Sequence, residues 1–156
     1  MSDRFRWRYG ETKPVVAAVV ASTVIETGDL VYLDSGTAKP ASSQTNQTTK
    51  PANQTLFAGK FLGVAMQSSP AGSDTPVRIA TSGVFELDCN ANTFELGNYV
   101  GIETKTGGLE NQKVDKTTDT SNALGRIVRR EPTSTTTVLV EIVSTVMAGG
   151  VKGTTS

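Results

Sequence analysis

Short β-branched runs, each cut off by a glycine-bearing turn, follow one another along almost the whole chain, and this punctuation narrows the available folds more than any other feature. The apolar run over residues 15–25 reads as a buried strand and gives way to the turn Glu26-Thr27-Gly28-Asp29. Residues 30–33 read as a strand, and Asp34-Ser35-Gly36 as the turn that folds residues 37–39 back as a hairpin arm. Strands are expected again at 61–66, 77–80 and 84–87, with a turn at 70–74 and Ser82-Gly83 between the last two strands. Threonine supplies about one residue in seven, and valine is also abundant. Both are stiff at the branched carbon and favour a pleated backbone. The expected class is all-β with at most one short helix: a small β-barrel or β-sandwich-like domain with an extended N-terminal arm.

The 156 residues suit one compact domain. Residues 1–13 are expected to form the arm, 14–147 the β domain, and 148–156 a flexible C-terminal tail. Within the domain, residues 40–55 are Ser, Thr, Gln, Asn, Lys and Pro with almost nothing apolar, so a long polar loop is expected over 40–58. The arginine-bearing start before Val15 imitates a secretory signal poorly, because Asp3, Glu11 and Pro14 interrupt it. No window reaches the roughly 18 apolar residues that cross a bilayer, so the chain is expected to be soluble and unanchored.

The order of these signals repeats. Residues 26–32 match 95–101, residues 62–65 match 124–127, and residues 77–80 match 138–141, at offsets of 69, 62 and 61. About seven extra residues in the first copy fall in the polar loop, where length differences are best tolerated. Two related β units would explain the matches. So would chance in a chain this rich in valine and glycine.

The chemistry available is limited. The chain has no histidine and one cysteine, Cys89, which excludes His-based triads, Cys/His zinc sites and an internal disulfide. Cys89 stands between Asp88 and Asn90 with no cationic neighbour to activate it, and reads as an inert thiol. Carboxylates are scattered singly through loops, and Thr106-Gly107-Gly108 lacks the helix and Lys-Ser or Lys-Thr of a phosphate cradle. No enzyme and no cofactor are expected. Fifteen basic and fifteen acidic residues cancel, so no long-range field steers the whole molecule toward nucleic acid.

That zero is a sum of unlike parts. Arg4, Arg6, Arg8 and Lys13 against Asp3 and Glu11 make the first thirteen residues +2, leaving −2 for the rest. In the arm, Arg4, Arg6 and Arg8 alternate with Phe5, Trp7 and Tyr9, so an extended backbone places guanidinium groups on one face and aromatic rings on the other. Wet aromatic rings on a free end cost solubility, and the arm is expected to be bound to its own domain or to a partner. A second basic cluster, Arg126, Arg129 and Arg130, lies on an expected strand over 126–130. It reads as an edge strand protected by charge, with an oligomer contact as the functional alternative.

Laid out in this order, the chain resembles the small cement or decoration proteins of tailed-bacteriophage capsids. The resemblance rests on residues 24–146, about four fifths of the chain: Glu-Thr-Gly-Asp-Leu-Val-Tyr at 26–32, Phe-Leu-Gly-Val-Ala at 61–65, the stretch 70–87, Leu-Gly-Asn-Tyr-Val at 96–100 and Leu-Gly-Arg-Ile-Val at 124–128. It implies a β-rich domain on the outer surface of the virion, bound to the major capsid protein and stabilising the shell by bridging coat subunits. It also implies a homotrimer, with Arg4, Phe5, Arg6, Trp7, Arg8 and Tyr9 as the shell-binding arm. The loop at 40–58 departs from the pattern. No small-molecule substrate or membrane is implied.

Two other readings compete: a single-stranded nucleic-acid module using the Arg/aromatic arm, and a carbohydrate-binding surface built on the Ser/Thr/Asn loop. The capsid reading predicts no salt-dependent binding of single-stranded DNA at micromolar protein and low salt. A fluorescence titration that found such binding would favour the nucleic-acid module instead.

Overall fold

The computed structural model describes residues 5–151, so Arg4 of the expected arm lies outside the described residues. Eleven strands and two α-helices follow in order. They are β1 (Trp7–Tyr9), β2 (Val15–Ala17), β3 (Leu30–Asp34), β4 (Thr37–Pro40), α1 (Lys50–Lys60), β5 (Phe61–Ala65), β6 (Val77–Ala80), β7 (Ser82–Phe94), β8 (Tyr99–Lys105), β9 (Gly108–Thr117), β10 (Gly125–Ile127), β11 (Glu131–Val143) and α2 (Thr145–Ala148). The molecule is mostly β, as expected.

The strands make two rings. In the second half, β7-β11-β10-β8-β9 are neighbours, and β9 returns to β7 through the parallel pairs Asp88↔Lys113 and Cys89↔Val114, closing a five-stranded barrel. In the first half, β2-β6-β5-β3-β4 form a five-stranded sheet. It closes through one parallel bridge, Ala18↔Thr37, where the Ala38 N–H donates to the Ala18 carbonyl at 2.8 Å. Closure leaves little unpaired edge to seek other chains.

The rings are copies of one unit. Leu30↔Val64 and Val31↔Gly63 recur as Tyr99↔Arg126 and Val100↔Gly125. Val64↔Ala80 and Ala65↔Ile79 recur as Arg126↔Glu141 and Ile127↔Val140. Val15↔Ile79 and Ala17↔Val77 recur as Phe85↔Val140 and Leu87↔Val138. The entry turns match atom for atom: the Glu26 N–H donates to Asp29 Oδ2 at 2.9 Å, and the Glu95 N–H to Asn98 Oδ1 at 2.9 Å. Gly28 and Gly97 then take positive φ and donate to the Ala65 and Ile127 carbonyls. The interiors correspond as well. Ala17, Val19, Ile25, Val31, Leu62, Ala65, Val77 and Ile79 fill the first barrel, and their counterparts Leu87, Cys89, Phe94, Val100, Leu124, Ile127, Val138 and Val140 are all buried in the second. The second interior has the larger side chains at several of these positions, so the duplicated backbone is filled differently in each half.

Several expectations need correcting. The segment 40–58 is not a loop: after β4 come a 3-10 turn at Ala41–Ser43 and then α1. Thr49 caps α1 by accepting from the Ala52 N–H, and Pro51 stands in its first turn, where a missing N–H is harmless. The polar residues that argued against burial are buried with partners: Gln54 Nε2 donates to the Ile102 carbonyl at 3.0 Å, and Gln44 Nε2 to that of Asn53 at 3.1 Å. Phe57 stands edge-on to Tyr32, with ring centroids 5.9 Å apart, and packs on Phe61, so α1 wedges against β3 and its counterpart β8.

The apolar run 15–25 is not one strand either, because the chain leaves β6 after Ala17 to make the closing bridge at Ala18. Ser82-Gly83 lies at the start of β7: β6 belongs to the first barrel and β7 to the second, and residues 81–82 cross between them, with Thr81 and Ser82 N–H both donating to the Thr12 carbonyl. Strand β10 ends at Ile127 and is flanked by β8 and β11, so it is not an edge. The tail expected from residue 148 is hydrogen-bonded through Gly150: Ser144 caps α2, and Gly149, at positive φ, donates to the Thr145 carbonyl.

Close strand approach depends on two counterpart glycines. A Cβ on Gly63 would run into the Ala80 carbonyl, and a Cβ on Gly125 into that of Glu141. Gly63→Ala and Gly125→Ala are each expected to destabilise by about 1–3 kcal/mol through overpacking. Gly59 in α1 has open space around the Cβ position, and Gly59→Ala is expected to stabilise by about 0.4–1 kcal/mol. Urea unfolding of the three variants checks both signs.

Candidate functional site

The candidate site begins with β1, which adds antiparallel to β7 on the side away from β11, with Trp7 opposite Phe85 and Tyr9 opposite Val84. Main-chain pairing continues through the Glu86 N–H, which donates to the Arg6 carbonyl at 2.9 Å. The arginines point to the face that carries the β7 carboxylates. Arg6 is buried and its Nη1 lies 2.8 Å from Asp88 Oδ1, while Arg8 pairs with Glu86 nearer the solvent. The apolar partners lie elsewhere: Phe5 packs edge-on against Phe85, with centroids 5.3 Å apart.

Trp7 and Tyr9 are different. They are 43 % and 53 % exposed although held on a paired strand. The Trp7 indole donates from Nε1 to the Gly10 carbonyl at 2.9 Å, which fixes the ring. Gly83 beneath it has no side chain to push it away, and Gly10 turns at φ +87° toward the same glycine. Residues 11–13 are tied down beyond them: Ser82 Oγ donates to the Glu11 carbonyl and Thr81 Oγ1 to that of Lys13. The described part of the arm is therefore docked on its own domain, its positive charge largely met by β7, and two aromatic rings stand on the surface.

The second basic cluster is divided. Arg126 stacks on Tyr99, 4.5 Å from the ring centroid, and its Nη2 donates to the Tyr99 hydroxyl at 3.1 Å. Arg129 and Arg130 follow β10 at an exposed turn, where they pair at 2.8 Å with Glu131 and Glu95. Glu86 and Asp88 are the site residues that sequence reasoning missed. The available signal was two period-two stripes of opposite charge, Arg6/Arg8 and Glu86/Asp88, on segments able to pair as strands.

Ionisable groups elsewhere are structural in their setting. Lys50 at the start of α1 spans Glu103, at 2.8 Å, and Asp115, clamping the helix to β8 and β9. Burial alone would lower the Lys50 pKa, but hydrogen bonds to Asp115 and Glu103 outweigh it and hold the ammonium above its usual range. Among the described residues no group of three or more His, Cys, Asp or Glu side chains is placed to hold a metal ion. The Cys89 thiol is pushed up to about 11 by burial and then by the negative charges of Asp88 and Asp115. That opposes thiolate formation and nucleophilic reactivity.

Two closed rings of strands with a fixed pair of surface aromatics suit a structural protein. The comparisons specify which: the phage cement protein family model matches residues 45–142, more than half of the chain, and the chain belongs to that family of phage structural proteins. The match spans α1, strands β5 and β6 of the first barrel and nearly all of the second. Among solved structures, the crystal structure of the head fiber gp8.5 N base of bacteriophage phi29 is similar at 15% identity and a TM-score of 0.45, covering 90% of this chain and 99% of that one. A search of curated proteins returns no match.

Because the folded pKa of Cys89 lies above its ordinary value of 9.0, the neutral thiol contributes stability that is complete below pH 9 and is lost as pH rises toward 11. The melting temperature is expected to fall less steeply over that interval in Cys89→Ala than in the parent. At pH 8 the native protein is expected to resist a chromogenic disulfide reagent that titrates one thiol after unfolding.

Proposed function

We propose that the protein is a cement subunit that binds the outer surface of the phage head and bridges neighbouring coat subunits, with Trp7 and Tyr9 as its principal anchors. Family membership supplies the capsid partner. The observation that carries the placement is the exposure of Trp7 and Tyr9 on a strand locked by two ion pairs and an indole hydrogen bond. A rigid aromatic pair loses little conformational entropy on docking, which is why tryptophan and tyrosine dominate binding hot spots. Arg6 and Arg8, being committed to Asp88 and Glu86, hold the strand in place and leave the rings to make the contact. That commitment also occupies Arg6 and Arg8, two of the guanidinium groups that a nucleic-acid reading would use.

The resemblance to decoration proteins implies a homotrimer. Three anchors on one body would gain an avidity roughly 10²- to 10⁴-fold beyond a single anchor. Arg129 and Arg130 are the proposed contact between copies, and Arg126 braces the strand beneath them. Shell stabilisation then follows by mass action, since a clip that binds only assembled coat favours the assembled state.

Deleting the arm is a poor test, because it would also uncover Phe85, Glu86 and Asp88. Substitution is cleaner. Trp7→Ala is expected to weaken binding to capsids stripped of this protein by about 30-fold, the equivalent of a 2 kcal/mol hot spot. Its melting temperature should fall only modestly, because the ring is 43 % exposed and belongs to neither buried core. Unchanged shell occupancy in a co-sedimentation titration of the Trp7→Ala/Tyr9→Ala double variant would defeat the anchor assignment.

A further inference from the structure

The duplicated unit exposes a vacancy. Strand β2 is the counterpart of the middle of β7: Val15, Val16 and Ala17 stand where Phe85, Glu86 and Leu87 stand in the second barrel. In the second barrel the side of this strand away from the closing sheet is occupied by β1. In the first, β2 is bonded to β6 and reaches β4 only at Ala18.

The backbone at Val16 is directed into that vacancy. Its cross-strand partner Arg78 uses its own main chain toward the opposite side: the Arg78 N–H donates to Gln67 Oε1 at 2.8 Å, and its carbonyl accepts from the Met66 N–H at 2.9 Å. Val16↔Arg78 is therefore a non-hydrogen-bonded pair, and the Val16 N–H and C=O face away from β6. The counterpart Glu86 N–H faces the same way and is taken by the Arg6 carbonyl of β1. The side chains agree with a covered strand. Residues 15–21 are apolar on both faces, the pattern of a strand buried on two sides. Only one side is buried here: Ala17 and Val19 point inward, while Val16, Ala18 and Val20 are exposed, Val16 by 71 %.

We infer that the outward edge of β2 at Val16 is an acceptor slot for an extended segment of a coat subunit, which adds there as an antiparallel strand as β1 adds to β7. The second barrel supplies the specification: about three residues long, main-chain bonds to Val16, and side chains on the outer face that meet Val16 and Ala18 where Arg8 and Arg6 meet Glu86 and Asp88. Valine and alanine in place of two carboxylates require apolar partners rather than arginines. This excludes the arm of a second copy, whose Arg6 and Arg8 would approach apolar side chains and the exposed Arg78. Strand addition draws affinity from main-chain bonds and specificity from the alternate side chains. The coat origin of the segment rests on the capsid-binding reading above. This edge is separate from Trp7 and Tyr9, so one cement subunit would grip the shell at two places.

The test titrates the intact protein onto capsids stripped of it, using Val16→Pro, which removes the edge donor, and Val16→Lys, which keeps the donor but charges the edge. Amide exchange at Val16 is read in free and bound protein. Both variants are expected to bind about tenfold more weakly, consistent with loss of one edge bond and its apolar contact, and the parent's Val16 amide should become protected only on the shell. Should Val16→Pro fail to fold, Val16→Lys and the exchange measurement decide. Parent and variants binding equally, with Val16 still exchanging freely, would overturn the slot while leaving the cement reading intact. Failure of the parent itself to bind would overturn both. Protection of Val16 that grows with protein concentration in the absence of shells would overturn the coat segment as occupant in favour of a second copy.

Discussion

The structure depends on a parallel contact between the first and third strands of each repeat, the two ends of its five-stranded sheet. At Ala18↔Thr37 in one half and Asp88↔Lys113 in the other, a short sheet of five strands closes on itself. Without that contact each half would be a small open sheet with two bare edges and a poorly enclosed core. With it, the apolar side of every strand has an interior to fill. Gly63 and Gly125 let adjacent strands come close enough for the ring to be tight, and the turns at Asp29 and Asn98 set the angle at which each hairpin enters. Helix α1 then covers β3 and β8 together, placing Phe57 between the two units.

Duplication followed by divergence accounts for the difference between the two outer edges. The backbone pairings are the same in both halves, but the outer face of the first strand is Val16 and Ala18 in one copy and Glu86 and Asp88 in the other. The acidic version holds the chain's own basic arm and thereby presents Trp7 and Tyr9 on a fixed strand. The apolar version is left uncovered. Two copies of one unit thus carry differently dressed outer edges on one body.

Much of this was legible in the residues. The turns at 26–29 and 95–98 and the strands near 61–66 and 77–80 follow from local chemistry: glycine where φ is positive, Asp or Asn where a side chain must accept from a turn N–H, β-branched residues between. The helix at 50–60 was not legible, because its stabilisation comes from outside the segment. Gln54 is satisfied by a carbonyl on β8, and Phe57 by rings on β3 and β5, so composition alone argued for solvent. The fate of the arm was half legible: its alternation was plain, but the choice between a partner and its own domain turned on Glu86 and Asp88, some eighty residues away.

The sequence by itself determined the β class, the turn positions and the lack of histidine chemistry, since each is set by residue type and by neighbours a few positions away. Only the tertiary structure decided which strands close the rings, that a polar stretch becomes a helix, that the arm lies down on β7, and that the matching edge of β2 stays open. Those outcomes depend on pairings between distant residues, where register, burial and charge are settled by what the folded chain brings alongside and not by any local preference.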